Sequence, residues 1–254
     1  MIVDIHNHIL PGLDDGPKSI EQALLLAENA VANGITHVIA TPHHLNGRYR
    51  NSSVEVQEAV AGLYRELLQR NIRLKILSGQ EIYLSTNILE ELDHDCLTLA
   101  NSGKYLLIEL PSEYIPSHTS DFIYKIQLRG YIPIIVHPER NKVFQKNKQL
   151  LYEYVFRGAL IQITAASLLG LNGRSLRKYT KELIRHNLVH FISSDAHHFE
   201  KRPFLLKSAF DHIKKEFSED HVIYYCENAR HIVYGTEIQP LPPISFKKSF
   251  LYLT

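Results

Sequence analysis

Histidines and acidic residues in this sequence gather where short apolar runs end. The first run closes in Asp4-Ile-His6-Asn-His8, followed by a turn with Asp14-Asp15-Gly16, and the second closes in Thr41-Pro-His43-His44. Later runs end in Gly79-Gln-Glu81, Ile108-Glu109, His137-Pro-Glu139-Arg140 and Ser194-Asp195-Ala-His197, while one gives only Gln162 and Thr164. On an extended strand, residues i and i+2 share a face, so His6 and His8 can grip one cation, and Asp195-x-His197 repeats that spacing. A single His-x-His pair is a weak signal. Two pairs, joined by histidines and carboxylates from four other runs, read as a metal site, because crowded buried carboxylates are costly without a cation. The competing reading is a set of buried histidines and carboxylates that pair with one another. Nitrogen and oxygen donors without thiolate point to manganese, iron or zinc.

These residues need elements to position them. The apolar runs predict strands at about Ile2–Ile5, His37–Thr41, Arg73–Ser78, Tyr105–Glu109, Ile132–Val136, Leu160–Thr164 and His190–Ser193. Amphipathic helical patterns lie between them. Ser19-Ile-Glu-Gln22 and Ser52-Ser-Val-Glu55 are capping-box patterns, each followed by an apolar stripe. Asn33-Gly34 and Arg129-Gly130 mark helix ends ahead of new strands. Alternating strands and helices imply an α/β fold with a parallel sheet and right-handed crossovers. In such folds sites are built at the C-terminal ends of the strands. A closed barrel brings those ends around one axis, whereas an open sheet spreads them along an edge, so the expected fold is a barrel.

Length and composition set the other bounds. A chain of 254 residues is ordinary for one α/β barrel, so a single domain over 1–254 is expected, with a proline-containing tail from about 237. The tail is read as a terminal segment on the barrel exterior, with partner binding as the other option. Twenty-eight basic and 27 acidic residues nearly cancel, which argues against a nucleic-acid partner. No apolar run is long enough to span a membrane, and the N-terminus lacks signal-peptide features, so no stable membrane insertion and a cytoplasmic location are expected. Cys96 and Cys226 are too few for a disulfide framework. A cysteine phosphatase needs Cys followed six positions on by Arg, but here those positions are Ser102 and Ile232. No Gly-x-Ser-x-Gly elbow or P-loop is present.

From His6-Asn-His8 and Asp14-Asp15-Gly16 through Thr41-Pro-His43, Glu81, Glu109 and His137 to Asp195-x-His197, the chain resembles the polymerase-and-histidinol-phosphatase (PHP) superfamily. Within it, Asp14-Asp15-Gly-Pro-Lys18, Gly79-Gln-Glu-Ile-Tyr83, His137-Pro-Glu-Arg140 and Ser194-Asp-Ala-His197, with Arg202 beyond, resemble the bacterial manganese-dependent tyrosine-protein phosphatases of capsular and exopolysaccharide operons. The resemblance implies a distorted seven-stranded (β/α)7 barrel with its metal site at the C-terminal ends of the strands. It also implies three divalent metal ions, manganese first, with His6, His8, Asp15, His43, Glu81, Glu109, His137, Asp195 and His197 as ligands. The aspartate directly before the glycine selects Asp15, though Asp14 could orient or substitute for it. His44 and His198 are read as supporting or surface residues.

Five neutral imidazoles and four carboxylates carry −4, so three divalent cations would leave the implied site at about +2, which suits a phosphate dianion. The implied mechanism is in-line attack by a metal-bridging hydroxide. Arg140 and Arg202 would bind phosphate oxygens, and His197 or a neighbour would protonate the leaving group where needed. The implied substrate is phosphotyrosine on protein, with a bacterial tyrosine kinase as the partner. Leu45–Asn51 could wall the site, with Arg48 and Arg50 either guiding a peptide or serving as plain surface residues. A small-molecule phosphomonoesterase such as histidinol phosphatase is the alternative. A nuclease or proofreading domain and a non-catalytic scaffold fit less well.

Overall fold

The computed structural model describes residues 1–86, 88–92 and 94–246. Its strands are β1 (Val3–Asn7), β2 (His37–Ala40), β3 (His43–His44), β4 (Lys75–Ser78), β5 (Glu81–Tyr83), β6 (Tyr105–Glu109), β7 (Ile132–Val136), β8 (Leu160–Thr164) and β9 (Phe191–Ser193). Between and after them run the helices α1 (Ile20–Ala32), α2 (Ser53–Gln69), α3 (Ile88–Glu91), α4 (Thr119–Leu128), α5 (Lys142–Lys146), α6 (Lys148–Phe156), α7 (Ala165–Leu169), α8 (Arg174–Arg185), α9 (Leu206–Glu216) and α10 (Glu219–Tyr234).

Every strand pairing is parallel. One sheet runs β1-β2-β4 and the other β3-β5-β6-β7-β8-β9. The expected single barrel is therefore seen as a barrel-like α/β fold of two parallel sheets, and among the described residues no continuous ladder closes it. The expected second and third strands reappear as β2 and β4, and each is followed by a further short strand, β3 and β5, that the apolar runs did not predict. Pro42 has no N–H to give to a ladder, so pairing lapses after Ala40 and resumes at His43. His43 and Glu81 thus lie on short strands of their own, directly across from each other. The two ends of the strand series meet through an isolated Asn7–Ala196 bridge. His8 N donates to Ala196 O at 2.8 Å, and Asp195 N to His6 O at 2.9 Å.

The strands alternate as extended chains must. Val3, Ile5, Ile39, Tyr105, Leu107, Ile134 and Phe191 face one shared apolar cluster that includes Ile232 of α10. Their neighbours Val38, Leu106, Ile108, Ile135, Ile161 and Ile192 face the helices. Most of the expected stripes are buried, Leu24, Ala27 and Ala30 of α1 and Val56, Leu63 and Leu67 of α2, but Val60 is half-buried and Val31, at the end of the α1 stripe, is exposed. The α2 capping box is complete. At α1 only half of it forms: Ser19 accepts from Gln22 N, but the Gln22 side chain accepts from Lys18 N instead. Gly34 and Gly130 have the positive φ of helix-ending residues. The described part of the tail packs at the C-terminal end of α8, where Ile244 N donates to His186 O and Phe246 stacks on His186. Residues 247–254 lie outside the described residues.

His190, just before β9, is fully buried, and its Nδ1 accepts from Ile161 N at 2.9 Å. Burial pushes its pKa down to about 3 from an ordinary 6.5. Below pH 6.5 the unfolded chain takes up this proton and the folded chain does not, so stability falls with pH by about 1.4 kcal/mol per pH step. Between pH 6.5 and 5 the loss is about 2 kcal/mol. His190→Asn, which retains an acceptor but does not titrate, should flatten the pH dependence by that amount in denaturant titrations. Equal slopes for the two chains would contradict it.

Candidate metal centre

The strand ends deliver the nine expected donors to one place. His6 lies on β1, His8 just beyond it, His43 on β3, Glu81 and Glu109 on β5 and β6, and His137 after β7. Asp195 and His197 follow β9. His6, His8, Glu81, Asp195 and His197 are buried, whereas the Asp15 side chain is 44% exposed at the rim. Their atoms form three overlapping groups: His6, His8 and Glu81; His43, Glu81 and Glu109; and His8, Asp15, His43 and His197. His137 Nε2 lies 2.9 Å from Glu81 Oε1. Asp195 Oδ1 lies 3.5 Å from His8 Nε2 and 3.6 Å from His6 Nε2.

Several contacts make little sense for protein atoms alone. His6 Nε2 and His8 Nε2 face each other at 3.4 Å. Each ring uses its other nitrogen elsewhere: His6 Nδ1 donates to Gln162 Oε1 at 2.9 Å, and His8 Nδ1 to Asp14 Oδ2 at 2.6 Å. Both bare Nε2 lone pairs therefore point inward. Glu81 Oε2 and His43 Nδ1 are buried 2.9 Å apart without hydrogen-bond alignment. Donors about 2.1 Å from a shared tetrahedral ion stand about 3.4 Å apart, so the His6, His8, Glu81 and Asp195 spacings of 3.3 to 3.6 Å fit a divalent cation.

The electrostatics agree. Burial opposes charge on His6, His8 and His43, yet Glu81, Asp14 and Asp195 outweigh it and hold their pKa values above the ordinary imidazole range. Burial likewise opposes charge on Glu81 and Asp195, but histidines and Arg140 hold both well below the carboxylate range. Glu109 is pushed up to about 7 by burial and by the neighbouring Glu81 charge. This is a centre short of positive charge.

The two aspartates divide the work. Asp14 holds the His8 ring, accepts from Gly16 N at 2.9 Å and accepts from His43 N at 3.1 Å. Asp15 turns to the donors, with Oδ1 3.3 Å from His197 Nε2 and 3.6 Å from His43 Nε2. Gly16 is required because a Cβ there would sit 2.1 Å from the His8 carbonyl oxygen. Strained backbone marks two donors: His137 and Asp195 take φ values of 33° and 52°.

Arg140 and Arg202 both reach Asp195 Oδ2, at 2.6 and 2.8 Å. They line a cavity of about 230 Å³ together with His43, Glu81, Glu109 and His137, and Leu110, Ile135 and Phe144 add apolar wall. In the loop 45–51, one terminal nitrogen of the exposed Arg50 guanidinium donates to both oxygens of Glu91, at 2.9 and 2.8 Å. Arg48 lies over Tyr49, whose ring is parallel to His43. His44 alternates away from His43 and is fully buried, and His198 Nδ1 accepts from Glu200 N within a tight turn. The residues that sequence reading left without a role are the positioning ones. Gln162 is an amide inside an otherwise apolar strand, and that pattern was its only signal. Asp4 ties β1 to the end of β9 by accepting from Ser194 N at 2.8 Å. Glu139, wholly buried, accepts from Thr164 N and Oγ1 at the end of β8.

Comparison with known proteins agrees with the resemblance. The tyrosine-protein phosphatase YwqE of Bacillus subtilis is 39% identical over 251 residues, covering 98% of this chain and 99% of the relative. A Staphylococcus aureus protein named CapC is 41% identical over 248 residues, with 97% of each chain covered. A crystal structure from work on YwqE of Bacillus subtilis and CpsB of Streptococcus pneumoniae, described as metal-dependent tyrosine phosphatases, superimposes with a TM-score of 0.94. It covers 97% of this chain and 100% of that one at 39% identity. The profile described as capsular polysaccharide synthesis, CpsB/CapC, matches residues 2–234, and the chain belongs to that family.

Proposed function

We propose that this chain is a metal-dependent protein-tyrosine phosphatase, a phosphoric monoester hydrolase acting in capsule or exopolysaccharide regulation. Asp195 is the observation that carries the reading: one carboxylate oxygen faces the donor histidines and the other faces two arginines. A phosphate-binding fork thus stands beside a metal-donor cluster. The phosphotyrosine substrate is supported by the named relatives, and its most direct source is a bacterial tyrosine kinase. We read the two sheets as one interrupted seven-stranded barrel, supported by the single inward cluster and the Asn7–Ala196 bridge.

His6, His8, Asp15, His43, Glu81, Glu109, His137, Asp195 and His197 would hold the metals, three ions by the overlap of their groups and manganese by family preference. Divalent ions bound there would lower the pKa of a coordinated water, so that hydroxide is available as the nucleophile near neutral pH, and would offset the charge on the departing oxygen. Arg140 and Arg202 hold the phosphate oxygens, and Leu110, Ile135 and Phe144 present an apolar wall for the tyrosine ring. His197 Nδ1 is held by the Asp195 carbonyl at 3.0 Å, which turns Nε2 to the donor cluster; as a metal ligand it has no proton to give, and the phenolate leaves as the anion. The free thiols of Cys96 and Cys226 suit the cytoplasm, and no helix among the described residues is long and apolar enough to cross a membrane.

The manganese-loaded chain should hydrolyse phosphotyrosine peptide in preference to phosphoserine peptide, histidinol phosphate and a phosphodiester. Chelation should lower the rate at least about a hundredfold, reversibly on adding manganese. Fast turnover of histidinol phosphate with none of phosphotyrosine would sink the substrate assignment. Activity that survives chelation would sink the metal mechanism.

A further inference from the structure

On the far side of the arginine pair lies a second cavity of about 510 Å³. Arg140, Asp195 and Arg202 line both cavities, so the two chambers share one wall. The second adds Lys201 to the two arginines, and its only carboxylate, Asp195, already faces both guanidiniums. The lining is therefore left with two positive charges. Lys201 is exposed, and among the described residues its ammonium has no hydrogen-bond or ion-pair partner; it is held by a tight turn closed by the His198–Arg202 bridge. Leu176 and Leu171, the latter 68% exposed, give the chamber an apolar side.

We infer that this chamber is a subsite for an aspartate or glutamate side chain close in sequence to the phosphotyrosine. The inference rests on the phosphatase reading and names the kind of peptide that site takes. A ligand whose phosphate sits on one face of the arginine wall places its chain neighbours near the other face, since consecutive residues advance by about 3.5 Å. With both arginines engaged by Asp195 and the phosphate, Lys201 is the cation left over, and an ammonium beside the aliphatic surface of Leu171 and Leu176 matches a carboxylate on a short methylene stem. A neutral neighbour gains nothing there, and a basic one is repelled.

The test compares kcat/KM of the manganese-loaded chain on phosphotyrosine peptides flanked by glutamates, alanines or lysines, with p-nitrophenyl phosphate as a substrate lacking flanks. Glutamate flanks should raise kcat/KM about three- to tenfold over alanine, less at high salt. Lys201→Ala should shrink that preference and Lys201→Glu should abolish or reverse it, while p-nitrophenyl phosphate turnover stays unchanged. Equal rates for all flanks, or a preference that survives Lys201→Glu, would overturn the subsite and leave the phosphatase reading intact. Failure on every phosphotyrosine peptide, with p-nitrophenyl phosphate still cleaved, would overturn the reading beneath it.

Discussion

Replacing Glu81 with glutamine is expected to lower phosphotyrosine hydrolysis by about a thousandfold or more and to strip most of the bound metal, while the fold survives. Glu81 is the hub of the centre. Its oxygens lie 2.9 Å from His43 Nδ1 and His137 Nε2, and 3.3 Å from His6 Nε2 and His8 Nε2. It belongs to two of the three donor groups, so its loss touches more than one ion. Glutamine keeps the shape but has one acceptor oxygen, and its amide hydrogens would point at the sites where cations belong. Several kcal/mol of transition-state stabilisation depend on those cations, which sets the thousandfold scale. The metal-free variant should stay folded but melt somewhat below the metal-free parent, because glutamine loses the charge pairing with the histidines that holds Glu81 ionised. Metal content, rate and melting temperature measured on one preparation decide the matter. A variant that keeps its metal and most of its rate would remove Glu81 from the centre.

What could be read from the sequence was whatever repeats locally. The seven apolar runs, the α2 capping box and the helix stripes need only neighbours a few residues away, and they reappear as strands and helices. The donor set was legible because parallel α/β topology sends every strand end to one side, so position along the chain predicted position in space. The positioning residues were not legible. Gln162 orients His6 from 156 residues away, and Asp4 holds Ser194 from 190 away. Nothing next to them in sequence signals that role. The same limit hides the ion pair of Arg50 with Glu91, 41 residues on. The left-handed backbone at His137 and Asp195 was hidden too: histidine and aspartate adopt it more readily than most side chains, but no neighbour in sequence singles out these two. Asp14 and Asp15 are identical letters side by side. Only in the folded turn, with Gly16 against the His8 carbonyl, does one lie behind the histidine and the other at the rim.

Arg140→Ala should lower kcat/KM for phosphotyrosine peptide by about a hundredfold or more while leaving metal content near that of the parent. The guanidinium is partly exposed in the cavity and reaches Asp195 Oδ2 at 2.6 Å, beside Arg202 at 2.8 Å. One oxygen shared between two guanidiniums leaves N–H groups free for phosphate. A planar fork binds two phosphate oxygens at once, which an ammonium cannot, so Arg140→Lys should recover only part of the loss. Arg202 still pairs with Asp195 in the variant, so the carboxylate stays oriented toward His6 and His8 and the metals remain. Because both arginines serve one carboxylate and one phosphate, the double variant should lose less than the product of the two single losses. The competing role is a clamp that merely orders Asp195. A clamp predicts metal loss in step with rate, and it predicts that Arg140→Lys, which can keep the ion pair, restores nearly everything. Metal analysis beside kcat and KM for the two substitutions separates the roles. Rate and metal falling together would make Arg140 a support for Asp195 and not a ligand of the phosphate.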